Sequence, residues 1–121
     1  MVPFAGLAVT EAEALALSAA IEAPLALLTV RVAQWPSRGL WHVAAASIVA
    51  TAVTHPQLWA AALWLYPRMA YWPAVIRLEA IVVGVEAVLI GWIAGLRLGQ
   101  AMLVSLVANA GSCLAGLLLT G

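Results

Sequence analysis

Glu79 and Glu86 stand seven residues apart in RLEAIVVGVEA, residues 77–87, inside an apolar run that continues as VLIGWIAG. Seven residues are two helical turns, so on a helix both carboxyls share one face. Carboxyls in such surroundings serve a short list of chemistries. They exchange protons as general acid and base. With an imidazole they ligate a divalent cation such as zinc, iron or manganese. They also form substrate or proton sites inside a membrane, where an ionisable group is costly and faces the interior of a bundle.

Further groups extend the set. Glu22, Thr54, His55, Ser105, Asn109 and Ser112 all lie in apolar stretches. Ser105, Asn109 and Ser112 follow i, i+4, i+7 and form one polar stripe. Ser18 with Glu22, and Thr51 with His55, are spaced i, i+4. Two prolines sit beside these groups, in EAP (22–24) and THP (54–56). A helical proline removes a donor and leaves the carbonyl four residues back unpaired, here Ala20 and Ala52. Free carbonyls at membrane depth are tolerated where they line protein or a wet cavity. His55, Glu79 and Glu86 are the candidate acid/base residues or, with a divalent metal ion as cofactor, its ligands. Glu22, Thr54, Asn109 and Ser112 are the candidate substrate contacts. The structural alternatives are inter-helix hydrogen bonding for Asn109 and the serines, and an ion pair with Arg77 for Glu22.

The elements that must position these groups are transmembrane helices. The chain has 121 residues, of which 66% are hydrophobic and 8% charged, and a mean hydropathy of +1.09. Soluble domains carry about a quarter charged residues. The charges are Arg and Glu alone, with zero net charge, so no basic surface points to nucleic acid. The single Cys113 excludes an intrachain disulfide. A span needs about 20 mostly apolar residues, and four windows qualify in one all-α domain covering residues 1–121. They are helix 1 over 11–33, helix 2 over 40–56 or 40–66 with an end or kink at Pro56, helix 3 over 74–96 and helix 4 over 100–120. Thr10 and Glu13 form a capping-box pattern ahead of helix 1. Short connections make neighbouring helices antiparallel. At ~1.5 Å per residue, Glu22, His55, Glu86 and Asn109 come to one layer near mid-membrane.

Residues 57–73, QLWAAALWLYPRMAYWP, hold Trp59, Trp64, Tyr66, Tyr71 and Trp72. Trp and Tyr concentrate at headgroup level, so this stretch is expected to lie along the interface and contact lipid. The N-terminus lacks the basic region of a cleavable signal. Lys-free, Ala-rich composition suggests a bacterium, and hence its inner membrane. Arg31, Arg38 and Arg97 flank one side, which places both termini outside by the positive-inside rule.

The ordered set IEAP (21–24), THP (54–56), EAIVVGVEA (79–87) and SLVANAGS (105–112) resembles a family of small, uncharacterised bacterial four-helix membrane proteins. The matching residues are Glu22, Pro24, Thr54, His55, Pro56, Glu79, Glu86, Asn109 and Ser112. In layout the chain is also similar to the lipocone group of four-helix membrane proteins, which implies action on lipid headgroups. Its size resembles the small multidrug resistance transporters, with Glu22 in the position of their helix 1 glutamate. Two further acids on helix 3 and a missing lysine near the end of helix 1 depart from that family.

Three functions remain open at this point. One is a site that binds or modifies a lipid headgroup near the outer leaflet. Another is an accessory subunit of a larger membrane complex that bears pigment or quinone, with His42 or His55 as a ligand. The third is a proton-coupled transporter of ions or small molecules working as a homo-oligomer.

Overall fold

Thr10 starts the first helix. Its hydroxyl accepts from the Glu13 amide at 3.1 Å and lies 3.0 Å from the Glu13 carboxyl, the capping-box pair with its return bond made to the hydroxyl. The computed structural model describes residues 10–120, with side chains to 118, and four helices. These are α1 Glu11–Ala33, α2 Leu40–Leu65, α3 Tyr71–Ala94 and α4 Leu98–Thr120. Connections over 34–39, 66–70 and 95–97 are too short for anything but antiparallel neighbours. The helices pack in a ring, α1 on α2, α2 on α3, α3 on α4 and α4 back on α1.

Helix boundaries follow local chemistry. Gly95 ends α3 in the left-handed region at φ 72°, where glycine carries no Cβ penalty. Its missing Cβ also lets the Arg38 side chain lie across the turn, and the Arg38 amide donates to Ala94 O at 2.8 Å. The 34–39 loop is thereby tied to the end of α3.

Of the two extents expected for helix 2, 40–56 and 40–66, the longer one holds: α2 runs through Pro56 to Leu65. A proline inside a helix costs about 3 kcal/mol, and α2 offsets that by burying residues on both sides of it: Ala50, Thr51, Thr54 and His55 before, Leu58 and Ala62 after. The stretch 57–73 is therefore no separate interfacial segment. Residues 57–65 complete α2, and α3 begins at Tyr71, three residues earlier than expected. Pro73 is compatible with that start because first-turn amides have no intrahelical acceptor.

The bundle is inverted relative to a soluble one. Ser18, Glu22, Ser47, Thr51, His55, Glu86, Ser105, Asn109 and Ser112 are buried. Leu28, Val32, Leu63, Ile76, Ile81, Val88, Trp92, Leu114 and Leu118 are exposed. Helices α1, α2 and the Leu98–Leu118 part of α4 are long and apolar enough to cross a membrane. Helix α3 is not among them, because it carries Arg77, Glu79 and Glu86.

Alanine and glycine set the helix spacing. Ala26, Ala46, Ala50, Ala62, Ala74, Ala87, Ala94 and Ala101 are fully buried, and small residues let helix axes approach closely. The buried face of α1 repeats every fourth residue, Ala14, Ser18, Glu22, Ala26, Val30. At Gly111 of α4 an added Cβ would run into Leu25 Cδ1 of α1. Gly84 of α3 has nothing within 4 Å. Gly111→Ala is therefore expected to destabilise by about 1–3 kcal/mol through overpacking, whereas Gly84→Ala should be neutral or stabilise by about 0.5–1 kcal/mol. Thermal unfolding of both variants in one detergent checks the contrast, and equal melting shifts would contradict it.

Candidate functional site

The i, i+4 and i+7 stripes of the four helices meet on the inside of the ring. Glu86 is the hub. Asn109 Nδ2 on α4 donates to its Oε1 at 2.6 Å, and Thr54 Oγ1 on α2 lies 2.9 Å from its Oε2. Helices α2 and α4 are the two neighbours of α3 in the ring, so one carboxyl ties three helices together.

The supporting bonds are equally specific. Asn109 Nδ2 also donates to Ser105 O at 2.9 Å, which uses both its hydrogens. Ser105 Oγ donates to Val83 O of α3 at 3.0 Å. Ser112 Oγ donates to Asn109 O at 3.1 Å. Thr54 Oγ1 is 2.9 Å from Ala50 O as well as from Glu86 Oε2. A hydroxyl has one hydrogen, so both contacts are made at once when Glu86 contributes the second.

Glu79 differs from Glu86. Both of its carboxyl oxygens are shut off from solvent, and neither has a hydrogen-bond partner among the described residues. Ser18 Oγ and Thr51 Oγ1 are buried in the same condition. His55 is 1% exposed, and its ring lies 5.9 Å from that of Trp59.

The arginines do not enter the core. Arg31, Arg38, Arg68, Arg77 and Arg97 are all exposed. The expected Glu22–Arg77 ion pair is absent among the described residues; Glu22 is buried with Ser112 and Glu86 instead. Nor does any group of three His, Cys, Asp or Glu side chains among the described residues stand where it could hold a metal ion. The proposed ligand set of His55, Glu79 and Glu86 therefore has no metal-binding geometry here.

The aromatic residues frame the α2–α3 turn. Tyr66 and Tyr71 rings are 5.2 Å apart, Tyr71 and Trp72 5.3 Å, and the Arg68 guanidinium sits 4.3 Å over Trp64. Trp59 belongs to the His55 contact, one turn inside α2 from this cluster. At the other end of the bundle Trp41 is 88% exposed and His42 is exposed beside it. Two residues were not singled out from the sequence. Ser47 extends the Thr51–Thr54 stripe of α2 by one turn, which its i−4 spacing from Thr51 would have revealed. Gln57 was read only as the start of an aromatic segment.

Compared with known proteins, the chain matches no family model, no curated sequence and no solved structure.

The Asn109–Glu86 pair yields a measurable coupling. Asn109→Ala leaves a buried carboxyl oxygen without its donor and should destabilise by roughly 1–3 kcal/mol. Replacing both partners, Glu86→Leu with Asn109→Leu, should cost less than the two single changes summed, because no orphaned polar group remains. Unfolding in detergent of the four members of this cycle provides the check. Additive effects would show that the 2.6 Å contact is not energetically coupled.

Proposed function

We propose that the chain is an integral membrane protein of four spans whose polar core binds the headgroup region of a lipid. The observation that carries this reading is Glu79, whose two buried carboxyl oxygens have no hydrogen-bond partner among the described residues, as is also true of the nearby Ser18 and Thr51 hydroxyls. Leaving such a group unpaired costs several kcal/mol, and a ligand that brings hydrogen-bond donors removes that cost. Large apolar side chains exposed on all four helices, with polar ones buried inside, support insertion in a bilayer.

The chemistry narrows the ligand. Three glutamates, an asparagine and hydroxyls line the core, while every arginine is exposed. Such a site favours hydroxyl or amino groups of a headgroup over its phosphate. Within it the roles divide. Glu86 has both oxygens engaged by Thr54 and Asn109 and organises the site. Glu79 is the group free to accept from the ligand, and any acid/base step falls to Glu79 and His55. Glu22 and Ser112 form the wall contributed by α1 and α4. In this reading the protein resides in a bacterial inner membrane. Arg31, Arg38 and Arg97 face the cytoplasm, the ends of the chain face outward, and Glu79 lies in the outward half.

Native mass spectrometry of the protein extracted with its membrane lipids tests this. The wild type is expected to retain a defined lipid, and Glu79→Gln to lower its occupancy about tenfold or more, the loss of one charge-assisted hydrogen bond. Arg31→Ala, at the opposite end of the bundle, should retain wild-type occupancy. Identical lipid profiles in wild type, Glu79→Gln and His55→Ala would refute the reading.

A further inference from the structure

Arg31, Arg38 and Arg97 stand at the end of the bundle that carries the 34–39 and 95–97 loops. No side-chain carboxyl stands with them among the described residues. The chain has no Asp, and Glu11 and Glu13 open α1 at the far end. Glu86 is the acid closest to these loops along its helix, eight residues before Ala94, about 12 Å along the axis. Arg38 and Arg97 line one pocket of about 540 Å³, completed by Pro36, Ser37, Gly95 and Gln100. Small-ligand sites span about 300–1,000 Å³. Arg31 lines a different depression, with Pro24, Leu28 and Trp41.

The pocket is built of fixed parts. The Arg38 amide donates to Ala94 O at 2.8 Å, and the Leu96 amide donates to Gly91 O at 3.1 Å, so both loops are held to α3. The Arg38 stem lies against Gly95, where a Cβ would come within 2.9 Å of its Cγ, and Nη1 donates to Ile93 O at 3.3 Å. These contacts aim the guanidinium without neutralising it. One carbonyl uses only a part of its donors, and the rest remain for a ligand. Gln100 turns its Oε1 to the Arg97 amide at 3.1 Å, which leaves its NH2 to donate elsewhere. Ser37 Oγ accepts from the Gly39 amide at 3.2 Å and keeps its own hydrogen to give. Every polar side chain lining the pocket is thus a donor, and two of them are charged. Like charges facing one pocket repel. An anion between them turns that cost into charge-assisted hydrogen bonds.

The number of donors selects the anion. One guanidinium fork occupies both oxygens of a carboxylate, whereas a phosphate offers further oxygens to a second fork. The level in the bundle agrees, because Trp41 and Trp92 stand at the same end and are 88% and 74% exposed. Trp concentrates at the headgroup layer, where lipid phosphates lie. We infer that the pocket between the 34–39 and 95–97 loops binds a phosphate group, with Arg38 and Arg97 as its charged partners and Gln100 and Ser37 as neutral donors. A lipid headgroup at that face of the membrane and a soluble phosphate present the same oxygens to it. The site is distinct from the acidic core, at the other end of α3 from Glu79, and takes the headgroup chemistry that the core disfavours.

The test offers the full-length protein in detergent either phosphatidic acid or diacylglycerol with the same chains, and reads bound lipid by native mass spectrometry. Phosphatidic acid is expected to bind about tenfold or more tightly, the worth of charged hydrogen bonds. Arg38→Ala and Arg97→Ala should each remove most of that preference. Arg38→Lys and Gly95→Ala should weaken it with the charge unchanged, the first by losing the fork, the second by pushing the Arg38 stem aside. Arg31→Ala removes an equal charge from the same end but outside the pocket, and should leave the preference intact. Equal losses in the three alanine variants of arginine would overturn the inference, because a diffuse positive field would then account for binding. An undiminished preference in both Arg38→Lys and Gly95→Ala would overturn it too. Calorimetric titration with inorganic phosphate separates the sources. Phosphate binding that needs Arg38 and Arg97 and displaces the lipid supports a soluble ligand, whereas the lipid preference without it supports a headgroup. Neither lipid preference nor phosphate binding would sink the proposal. Glu79→Gln should change neither readout, so this test stands or fails apart from the headgroup reading of the core.

Discussion

A carboxyl placed in the middle of a helix bundle has to be met by donors, and the structure is organised around how Glu86 meets that demand. Its hydrogen-bond partners come from the two helices flanking α3, Thr54 of α2 at 2.9 Å and Asn109 of α4 at 2.6 Å. In a low-dielectric interior such bonds are strong when made and costly when broken. They fix the rotation of three helices relative to one another, a thing that apolar packing between Ala, Val and Leu faces does only loosely. Under the proposed insertion in a bilayer, hydrophobic burial offers little help, and helix association rests on close packing and interhelical hydrogen bonds. The fully buried alanines and Gly111 against Leu25 supply the first, and the Glu86 network supplies the second.

Satisfaction at Glu86 makes its absence at Glu79 informative. The two acids lie on one helix, two turns apart, yet one is held by two neighbours and the other by no described residue. A bundle that already binds one carboxyl so fully has no structural need for a second.

Much of the fold was legible in the order of residues. Long apolar windows, the Thr10–Glu13 cap, short connections and Gly95 determine four antiparallel helices and their number, because these features act within one helical turn or through the covalent length of a loop. The i, i+4 and i+7 spacings of Ser105, Asn109 and Ser112 likewise forced one polar stripe on α4. Pro56 left two extents open for helix 2, since its local penalty was visible in the sequence while the burial of Leu58 and Ala62 that offsets it was not. The aromatic run 57–73 misled for a similar reason: composition reads as interface, yet α2 and α3 claim most of it.

Which stripes face each other was decided only by tertiary structure. Spacing brought Glu22, His55, Glu86 and Asn109 to a common polar layer, with His55, Glu79 and Glu86 as acid/base or metal candidates and Glu22 and Asn109 as substrate contacts. The ring order α1–α2–α3–α4 then gave Glu86 to Thr54 and Asn109 and left Glu79 without a hydrogen-bond partner among the described residues. It also kept the acids and His55 from gathering as metal ligands. Periodicity along one chain specifies a face but not its neighbour, because partner choice depends on rotations and distances set by packing across helices. For this protein, sequence alone determined that acids lie inside an apolar helical bundle. Tertiary structure decided which of them is a strut between helices and which has no hydrogen-bond partner among the described residues.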